Sequence, residues 1–599
     1  MTGVLRWWCS TGVLSTKPDV SPGSTPFSRE LLMPVIRTTS PRAIAVSLLN
    51  PQFGEIPPRT ASPRRVILLL AVLCCVLLGP GGEQQARAWQ RQSSANSRNL
   101  SRRSGGQVQT RDLQRLARVR EQHAALREKF SADLNELASW CDEHRFPEAA
   151  ARIRRLARPV DPQMLLGSPL PAEVQPDLSP SLPAEERHWQ AQLRFLQREF
   201  AADLYLLSRR VLNDGSPSYA YDLVREVARH DPDHRTARRL LGYVRLGEEW
   251  VTPYAARMQR SRNVWHERFG WLPKTHVERY EAGERFFRGR WMSARQEEEI
   301  RRDFSQAWEV HTEHFLVKTN HSLERGVEVA TALEDFYGFF FQTFAAFFTD
   351  SEQMKKLFSG GSRSTTVPHP HEVHYYRTRD EYNAKLVSKI PQIAITNGLY
   401  YTNDRTSYFF HDPEQENDAT LFHEATHQML YESSSRDRAI AQNAHFWIIE
   451  GIACYMESFH REKETVSLGD PRYTRFVAAR YRYMVDSYYV PLAEFDAMSM
   501  LEFQTSRDIA RNYSQASGLS HFFMHYDGGR YRDALIEHLA QHYQVQPGGL
   551  RRIQSLDELT GVSMAELDRQ YGEYTREVQA AIRAELEDQA REGAAPVQP

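Results

Sequence analysis

The chain has 599 residues, which is enough for about three or four domains. Its 75 basic and 76 acidic residues nearly cancel and give a net charge of −1. The composition therefore gives no electrostatic reason to expect binding to nucleic acid or to an anionic membrane surface. Hydrophobic residues make up 41% of the sequence and aromatic residues 11%, so most of the chain is expected to form globular cores.

An export signal is predicted near the N-terminus. Two arginines at 64–65 precede an uninterrupted apolar run at 66–78, and an A-R-A cleavage site follows at 86–88. The apolar run is shorter than the roughly 20 residues that a membrane-spanning helix needs. We therefore predict a signal peptide at about 64–88 and a secreted, periplasmic or cell-envelope location. An uncleaved N-terminal anchor is the alternative, and it is the only membrane contact that the sequence predicts.

The next part of the chain, after the N-terminal extension and signal peptide at 1–88, is predicted to be helical with linkers. A polar Ser/Arg/Gln-rich linker at 89–109 precedes a helical segment at 110–158. A connector at 159–183 holds seven prolines, a density that excludes a helix. Helices are expected again over 184–309, including the stretch rich in Trp, Arg and Glu from 247 onwards.

One segment of that region, 218–247, has the pattern of a helix, a DPDH turn and a second helix. A single tetratricopeptide-type unit and an ordinary helical hairpin both fit this pattern, because one copy without a repeat does not distinguish them.

From residue 310 the pattern changes to short aromatic runs alternating with longer helical stretches. A helix is predicted over 322–349, where phenylalanines recur at i, i+4 steps and indicate a core-facing stripe. Turn residues bound the short runs, as is typical of strands. The predicted strands lie at 312–320, 372–378, 398–403 and 406–411.

The sequence LFHEATHQML at 421–430 carries two histidines four residues apart, with a glutamate directly after the first. At 100° per residue His423 and His427 share one helix face, Glu424 lies beside them, and the apolar residues fall opposite. This spacing lets two imidazoles reach one metal ion, with a carboxylate next to the remaining coordination position. An amphipathic helix that carries histidines without a metal is the alternative.

The third ligand separates the classes of metal site. Metzincins need a glycine and a histidine at positions that here hold Leu430 and Ser433, so that class is excluded. The segment HFWIIEGIACYMES at 445–458 instead places Glu450 on the polar side of a mostly apolar helix, where a buried carboxylate is costly unless it is paired or bound to a metal. Gly451 is expected to permit close approach of this helix to the motif helix.

These residues carry a family resemblance. HEATH followed by W-x-x-E-G-x-A-x-Y resembles the gluzincin metallopeptidases (thermolysin-like, peptidase MA), and it is similar to an uncharacterised domain family found in secreted bacterial proteins. The resemblance implies Zn²⁺ held by His423, His427 and Glu450, Glu424 as the general base, and a peptide or protein substrate. It covers roughly residues 310–545.

The resemblance also suggests a donor for the oxyanion. Tyr513 lies at about the distance past the third ligand at which gluzincin aminopeptidases carry such a tyrosine, and a packing tyrosine is the alternative. Tyr400 and Tyr401 are candidates to line the cleft from an edge strand.

The expected fold is α+β and mostly helical. A helical N-terminal region precedes a gluzincin-like domain with a small mixed sheet and the HExxH helix, and residues 546–599 form C-terminal helices and a disordered tail. The rival function is a non-catalytic exported binding or scaffold protein with a structural or lost zinc site, whose helical N-terminal region binds a partner protein.

Two further sets of residues have metal-binding side chains. His369, His371 and His374 are close in sequence, but prolines make the segment loop-like, and we expect a polar loop leading into a strand rather than a second metal site. Cys454 lies one turn beyond Glu450, where a small buried thiol is the plainer reading. Only this cysteine and Cys141 lie beyond the predicted cleavage site, too few to indicate a disulfide framework.

Overall fold

The computed structural model describes residues 105–158, 165–167, 170–349, 351–361, 369–413, 418–433, 440–462, 465–543 and 552–593. The predicted signal peptide lies outside these residues, and so does most of the predicted linker, whose last residues already belong to the first helix. Within the described part, every helix is too short or too polar to cross a lipid bilayer.

Five helices and a short strand form the N-terminal part of the described chain. They are α1 (Gly105–Glu143), α2 (Pro147–Leu156), β1 (Leu165–Gly167), α3 (Ala184–Asn213), α4 (Pro217–His230) and α5 (Arg235–Leu240). The long helix α3 packs against α1 and α4, and apolar side chains at turn spacings, among them Leu134, Leu204 and Val224, form the core between them. Helix α5 has only six residues, so the helix–turn–helix predicted at 218–247 is not a pair of comparable helices.

Three β-hairpins follow, each ending in a short helix, and the expectation of helices from residue 247 onwards is therefore wrong there. Each hairpin pairs its two strands antiparallel. The elements are β2 (Val244–Leu246), β3 (Glu249–Val251), α6 (Pro253–Arg260), β4 (Asn263–His266), β5 (Gly270–Pro273), α7 (Val277–Glu281), β6 (Glu284–Phe287), β7 (Arg290–Ser293) and α8 (Ala294–Arg301). In the third hairpin Arg288 and Gly289 both have positive φ, 48° and 80°, which is the two-residue type I′ turn that matches the twist of paired strands.

A five-stranded mixed sheet lies at the centre of the α+β part. Its strands are β8 (Trp308–His311), β9 (Phe315–Thr319), β10 (His371–Tyr376), β11 (Gly398–Tyr401) and β12 (Thr406–Phe410). The order is β11-β12-β10-β9-β8, with β10 parallel to both β9 and β12 and the two outer pairs antiparallel. The four predicted strands of this region are confirmed, and β11 lies at the edge of the sheet.

The phenylalanine-rich helix packs against this sheet. Helices α9 (Leu323–Thr343) and α10 (Ala345–Phe348) meet at Phe344, and α11 (Ser351–Phe358) and α12 (Arg379–Leu386) follow. Phe336, Phe340 and Phe344 are fully buried in the main core, which confirms the predicted core-facing stripe. Helix α9 contacts β8 and β9.

Helices dominate the rest of the chain. The elements are α13 (Ala419–Glu432), α14 (Phe446–Met456), β13 (His460–Arg461), β14 (Val466–Leu468), α15 (Thr474–Met484), α16 (Leu492–Asp496), α17 (Met500–Thr505), α18 (Ile509–Gly529), α19 (Arg532–Tyr543), α20 (Leu556–Thr560) and α21 (Met564–Gly593). Every residue of α14 is buried, so this helix passes through the interior. Tyr571 and Val578 of α21 belong to the same core, which thus extends beyond residue 545. The fold is α+β and mostly helical, as predicted.

Gly451 of α14 lies against α18 and not against the motif helix α13. The expectation that it permits close approach of α14 to α13 is therefore wrong. A Cβ at this position would come within 2.6 Å of the Ser520 hydroxyl oxygen and 2.7 Å of the Ala516 carbonyl oxygen. Glycine is therefore needed where α14 and α18 cross most closely.

Replacing Gly451 by alanine is expected to lower the free energy of unfolding by about 1–3 kcal/mol, because the added methyl group meets a backbone oxygen that cannot move independently. Chemical denaturation measures the change. Gly338→Ala in α9 is the matched control, since nothing lies within 4 Å of its added Cβ, and it should be neutral or stabilising by up to about 1 kcal/mol. Equal effects of the two substitutions would contradict the packing argument.

Candidate metal centre

Two adjacent helices bring the candidate ligands together. Helix α13 carries His423 and His427 one turn apart, and α14, which packs against it, carries Glu450. His423 and Glu450 are buried, and His427 is half-buried. The polar face that the sequence predicts on each helix thus points into a shared interior site and not into bulk solvent.

The three side chains converge at distances suited to one ion. The Nε2 atoms of His423 and His427 are 3.1 Å apart. Oε2 of Glu450 lies 3.5 Å from the first Nε2 and 3.7 Å from the second. Ligands at about 2.0–2.2 Å from a tetrahedral zinc ion are separated by roughly 3.3–3.6 Å. The donor set therefore fits Zn²⁺ in both chemistry and spacing, and the structure brings together the three residues that the sequence predicts.

A second carboxylate orients the first histidine. Nδ1 of His423 hydrogen-bonds with Oε1 of Glu457 at 2.8 Å. Glu457 also accepts two hydrogen bonds from the guanidinium of Arg475, at 2.8 and 2.9 Å, and one from the Tyr473 hydroxyl at 3.1 Å. This carboxylate–histidine contact fixes the ring and leaves its Nε2 available, as is common around metal-binding histidines.

The sequence prediction does not include Glu457, although a signal for it exists. It follows Glu450 by seven residues, two helical turns further along the same face of α14. Burial alone would raise the pKa of Glu457, but the charge of Arg475 and the hydrogen bond with His423 lower it to about 2. The carboxylate is therefore ionised.

The charges of the site favour a divalent cation. Among the described residues, Arg475 is the positive group that pairs with Glu457, so Glu424, Glu450 and Glu457 together carry more negative charge than it compensates when both imidazoles are neutral. Burial would lower the pKa of His423, but its hydrogen bonds with Cys454 and with both buried carboxylates raise it well above the usual range.

Glu424 directly follows His423 in α13 and does not belong to the group of three candidate ligands. Its Oε2 accepts a hydrogen bond from the backbone N–H of Tyr400 in the edge strand β11, at 2.7 Å. The strand thus fixes the carboxylate between α13 and the sheet edge. The side chains of Tyr400 and Tyr401 are themselves buried, and their position along a cleft stays a prediction.

Tyr513 of α18 reaches the same site. Its side chain is buried, and its hydroxyl hydrogen-bonds with Glu450. Burial and the negative charge of Glu450 raise the pKa of Tyr513 well above its usual value, which keeps the hydroxyl protonated as a donor. The structure therefore places this tyrosine next to the third candidate ligand, and its role towards an oxyanion stays a prediction.

The sequence analysis also considers His371, His374 and Cys454, and the structure shows the contacts of each. Nδ1 of His371 contacts Glu432 at 2.7 Å, and Nε2 of His374 contacts Glu372 at 2.8 Å, so these two histidines have separate partners. Cys454 is a buried free thiol beside His423, and burial raises its pKa, which keeps it neutral.

Residues 417–547 match the family model described as Protein of unknown function (DUF1570). The match begins just before α13 and ends just beyond α19, so it contains the HExxH helix, Glu450, Glu457 and Tyr513. The similarity of this region to an uncharacterised family is thus confirmed. No curated protein matches the chain. The DUF1570 region leaves out the sheet, and with it the strand that holds Glu424.

Proposed function

We propose that the chain is a zinc-dependent metallopeptidase of the gluzincin type, with His423, His427 and Glu450 as ligands. The observation that supports this most strongly is the convergence of the three ligand atoms within 3.1–3.7 Å of one another. Glu424, next to His423 in the chain and outside this group of ligands, is held at its carboxylate by a backbone N–H. A purely structural zinc site has no use for a base at that position.

The residues of the site divide into separate roles. Bound at these ligands, Zn²⁺ supplies Lewis acidity, which polarises a carbonyl group and lowers the pKa of water. Glu424 would accept a proton from the water molecule that attacks the peptide carbonyl, and it would donate this proton to the amine as the C–N bond breaks. Glu457 holds the His423 ring through Nδ1.

The substrate class follows from the position of the sheet edge. Strand β11 pairs with β12 on one side, and its other side faces Glu424. Extended peptides bind to such edges by backbone hydrogen bonds. We therefore propose a peptide or protein substrate that passes beside β11. Export through the signal predicted at 64–88 and partner binding by the N-terminal helices remain predictions.

Removing the metal tests this function. The purified, untagged chain is expected to cleave members of a peptide library, to lose that activity on treatment with a zinc chelator, and to regain it when Zn²⁺ is added back. His427→Ala should lose this zinc and the cleavage together. A chain that retains its cleavage activity after the zinc has been removed would contradict the proposal.

A further inference from the structure

A second group of histidines lies at the other end of α14. His445 immediately precedes this helix, and His538 and His542 lie one turn apart on α19. The ring centroids are 5.0 Å apart for His445 and His538, 5.2 Å for His445 and His542, and 5.0 Å for His538 and His542. One ligand nitrogen from each ring lies within 4.8 Å of the other two. We refer to these three residues as the histidine cluster.

Two of the rings have buried nitrogen atoms without a partner. His538 is completely buried and His542 is 7% exposed, and among the described residues the Nε2 atom of each has no hydrogen-bond partner. Nδ1 of His538 lies 2.7 Å from the Gln554 carbonyl oxygen and donates to it. That bond fixes the proton on Nδ1 and leaves Nε2 with a free lone pair. A buried polar atom without a partner is costly, so two on neighbouring rings need an explanation.

A carboxylate lies close to the third ring, at an ion-pair distance from its Nδ1 and without a hydrogen bond of regular geometry. Nδ1 of His445 lies 2.9 Å from Oδ2 of Asp496, whose other oxygen accepts a hydrogen bond from the Trp447 indole. The backbone N–H of His445 donates to the Asp496 carbonyl oxygen at 2.7 Å. His445 has a left-handed backbone conformation, with φ 63° and ψ 17°, which is uncommon outside glycine and is here held by these contacts. This arrangement resembles the support that Glu457 gives to His423.

Burial disfavours the charged form of two of the three rings. Burial lowers the pKa of His538, and burial together with the two neighbouring rings lowers that of His542 to about 3. Neutral imidazole is the form that binds metal ions.

We propose that His445, His538 and His542 form a second zinc site, distinct from the one at His423. Three imidazoles suit Zn²⁺ and neighbouring transition metals better than Ca²⁺ or Mg²⁺, which prefer oxygen ligands. A tetrahedral ion needs nitrogen atoms about 3.3 Å apart, so side-chain rotations that bring the rings closer by roughly an ångström complete the site. The His445 side chain is 23% exposed, so solvent reaches the cluster at this ring.

This second site has a structural role. It joins the start of α14 to α19, and Glu450 lies five residues further along α14, about 7.5 Å along the helix axis. A metal ion in the cluster thus fixes the helix that presents the third ligand of the candidate peptidase site. The inference rests on the histidine cluster itself and stands whether or not the chain is a peptidase.

Zinc stoichiometry of the purified, untagged full-length chain tests the proposal. After loading with Zn²⁺ and removal of free metal, elemental analysis should give two equivalents per chain. His542→Gln should bind one, His427→Ala one, and the double variant none. Zinc should also raise the melting temperature of His427→Ala, in which the cluster is intact.

The control is His521→Gln on α18. This histidine is also buried, but its two nitrogens are hydrogen-bonded to the Gly469 carbonyl oxygen and to Tyr574, so the variant loses stability and keeps both zinc ions. If His427→Ala bound no zinc, the second site would be overturned, because the cluster is intact in that variant. If His542→Gln still bound two zinc ions per chain, the second site would also be overturned. A chain with one zinc ion that is lost in His542→Gln and kept in His427→Ala would support the cluster and contradict the peptidase site.

Discussion

Replacing Glu424 by glutamine is expected to lower kcat/KM for peptide cleavage by about 10²–10⁴-fold, the usual contribution of a general base. Glutamine still accepts the Tyr400 N–H through its carbonyl oxygen, so the geometry at β11 persists, but the amide cannot take up a proton. Zinc should stay bound, because Glu424 does not belong to the ligand set. Peptide-library cleavage and elemental analysis on the same preparations measure the two quantities.

The matched control for this variant is Glu432→Gln. Glu432 lies eight residues further along α13, is not one of the candidate ligands, and contacts His371, Gln428 and the Tyr400 hydroxyl. It should keep both zinc and cleavage. Unchanged cleavage by Glu424→Gln would eliminate the proposed role of this carboxylate. A wild-type chain that binds zinc at His423 and cleaves no peptide would instead favour the non-catalytic scaffold.

The motif helices could be predicted because their signals are local. The spacing of His423 and His427 and the periodicity around Glu450 need only one turn of helix to be interpreted. The strands at 315–319 and 406–410 can be predicted for the same reason, because each is a short aromatic or β-branched run bounded by turn residues. Their order in the sheet, with β10 parallel to two neighbours, depends on contacts between distant segments and was not predicted.

The three hairpins between residues 244 and 293 show how local signals can mislead. Their strands have only three or four residues, too few for an alternating pattern to stand out. The turns use Gly247-Glu248 and Arg288-Gly289 and not the Asn-Gly or Asp-Gly pairs that mark a hairpin most strongly. A repeat was nevertheless present, because Trp250, Trp271 and Trp291 recur at nearly equal spacing on the second strand of each hairpin.

The contacts between distant residues in both sites could not be predicted from the sequence, for a different reason. Arg475 reaches Glu457 from another helix, and His445 is separated from His538 by more than ninety residues. Nothing in the local pattern of these residues indicates a shared location. Only packing of α14 in the interior, where an unpaired charge is costly, makes such partners necessary. The sequence therefore predicts the ligands on the motif helices better than it predicts what holds them.

Replacing Glu457 by glutamine is expected to weaken zinc binding by about 10–100-fold, the usual effect of removing an outer carboxylate from a histidine ligand. The charge of Arg475 also loses its ion pair with Glu457. Breaking a buried pair costs about 3–5 kcal/mol, and since the Arg475 side chain is 24% exposed we expect about 2–3 kcal/mol in the metal-free chain. Zinc titration with a competing chelator and denaturation without metal measure the two effects separately.

Glu226→Gln is the control that separates zinc binding from stability, because Glu226 makes the same kind of contacts away from the site. This buried carboxylate in α4 contacts Nε2 of His123 at 3.0 Å and accepts hydrogen bonds from the Arg127 guanidinium at 3.0 and 2.9 Å. Its replacement should cost comparable stability and leave zinc affinity unchanged. If both variants weakened zinc binding equally, Glu457 would act only through stability, and its contact with His423 would have no specific role in holding the metal.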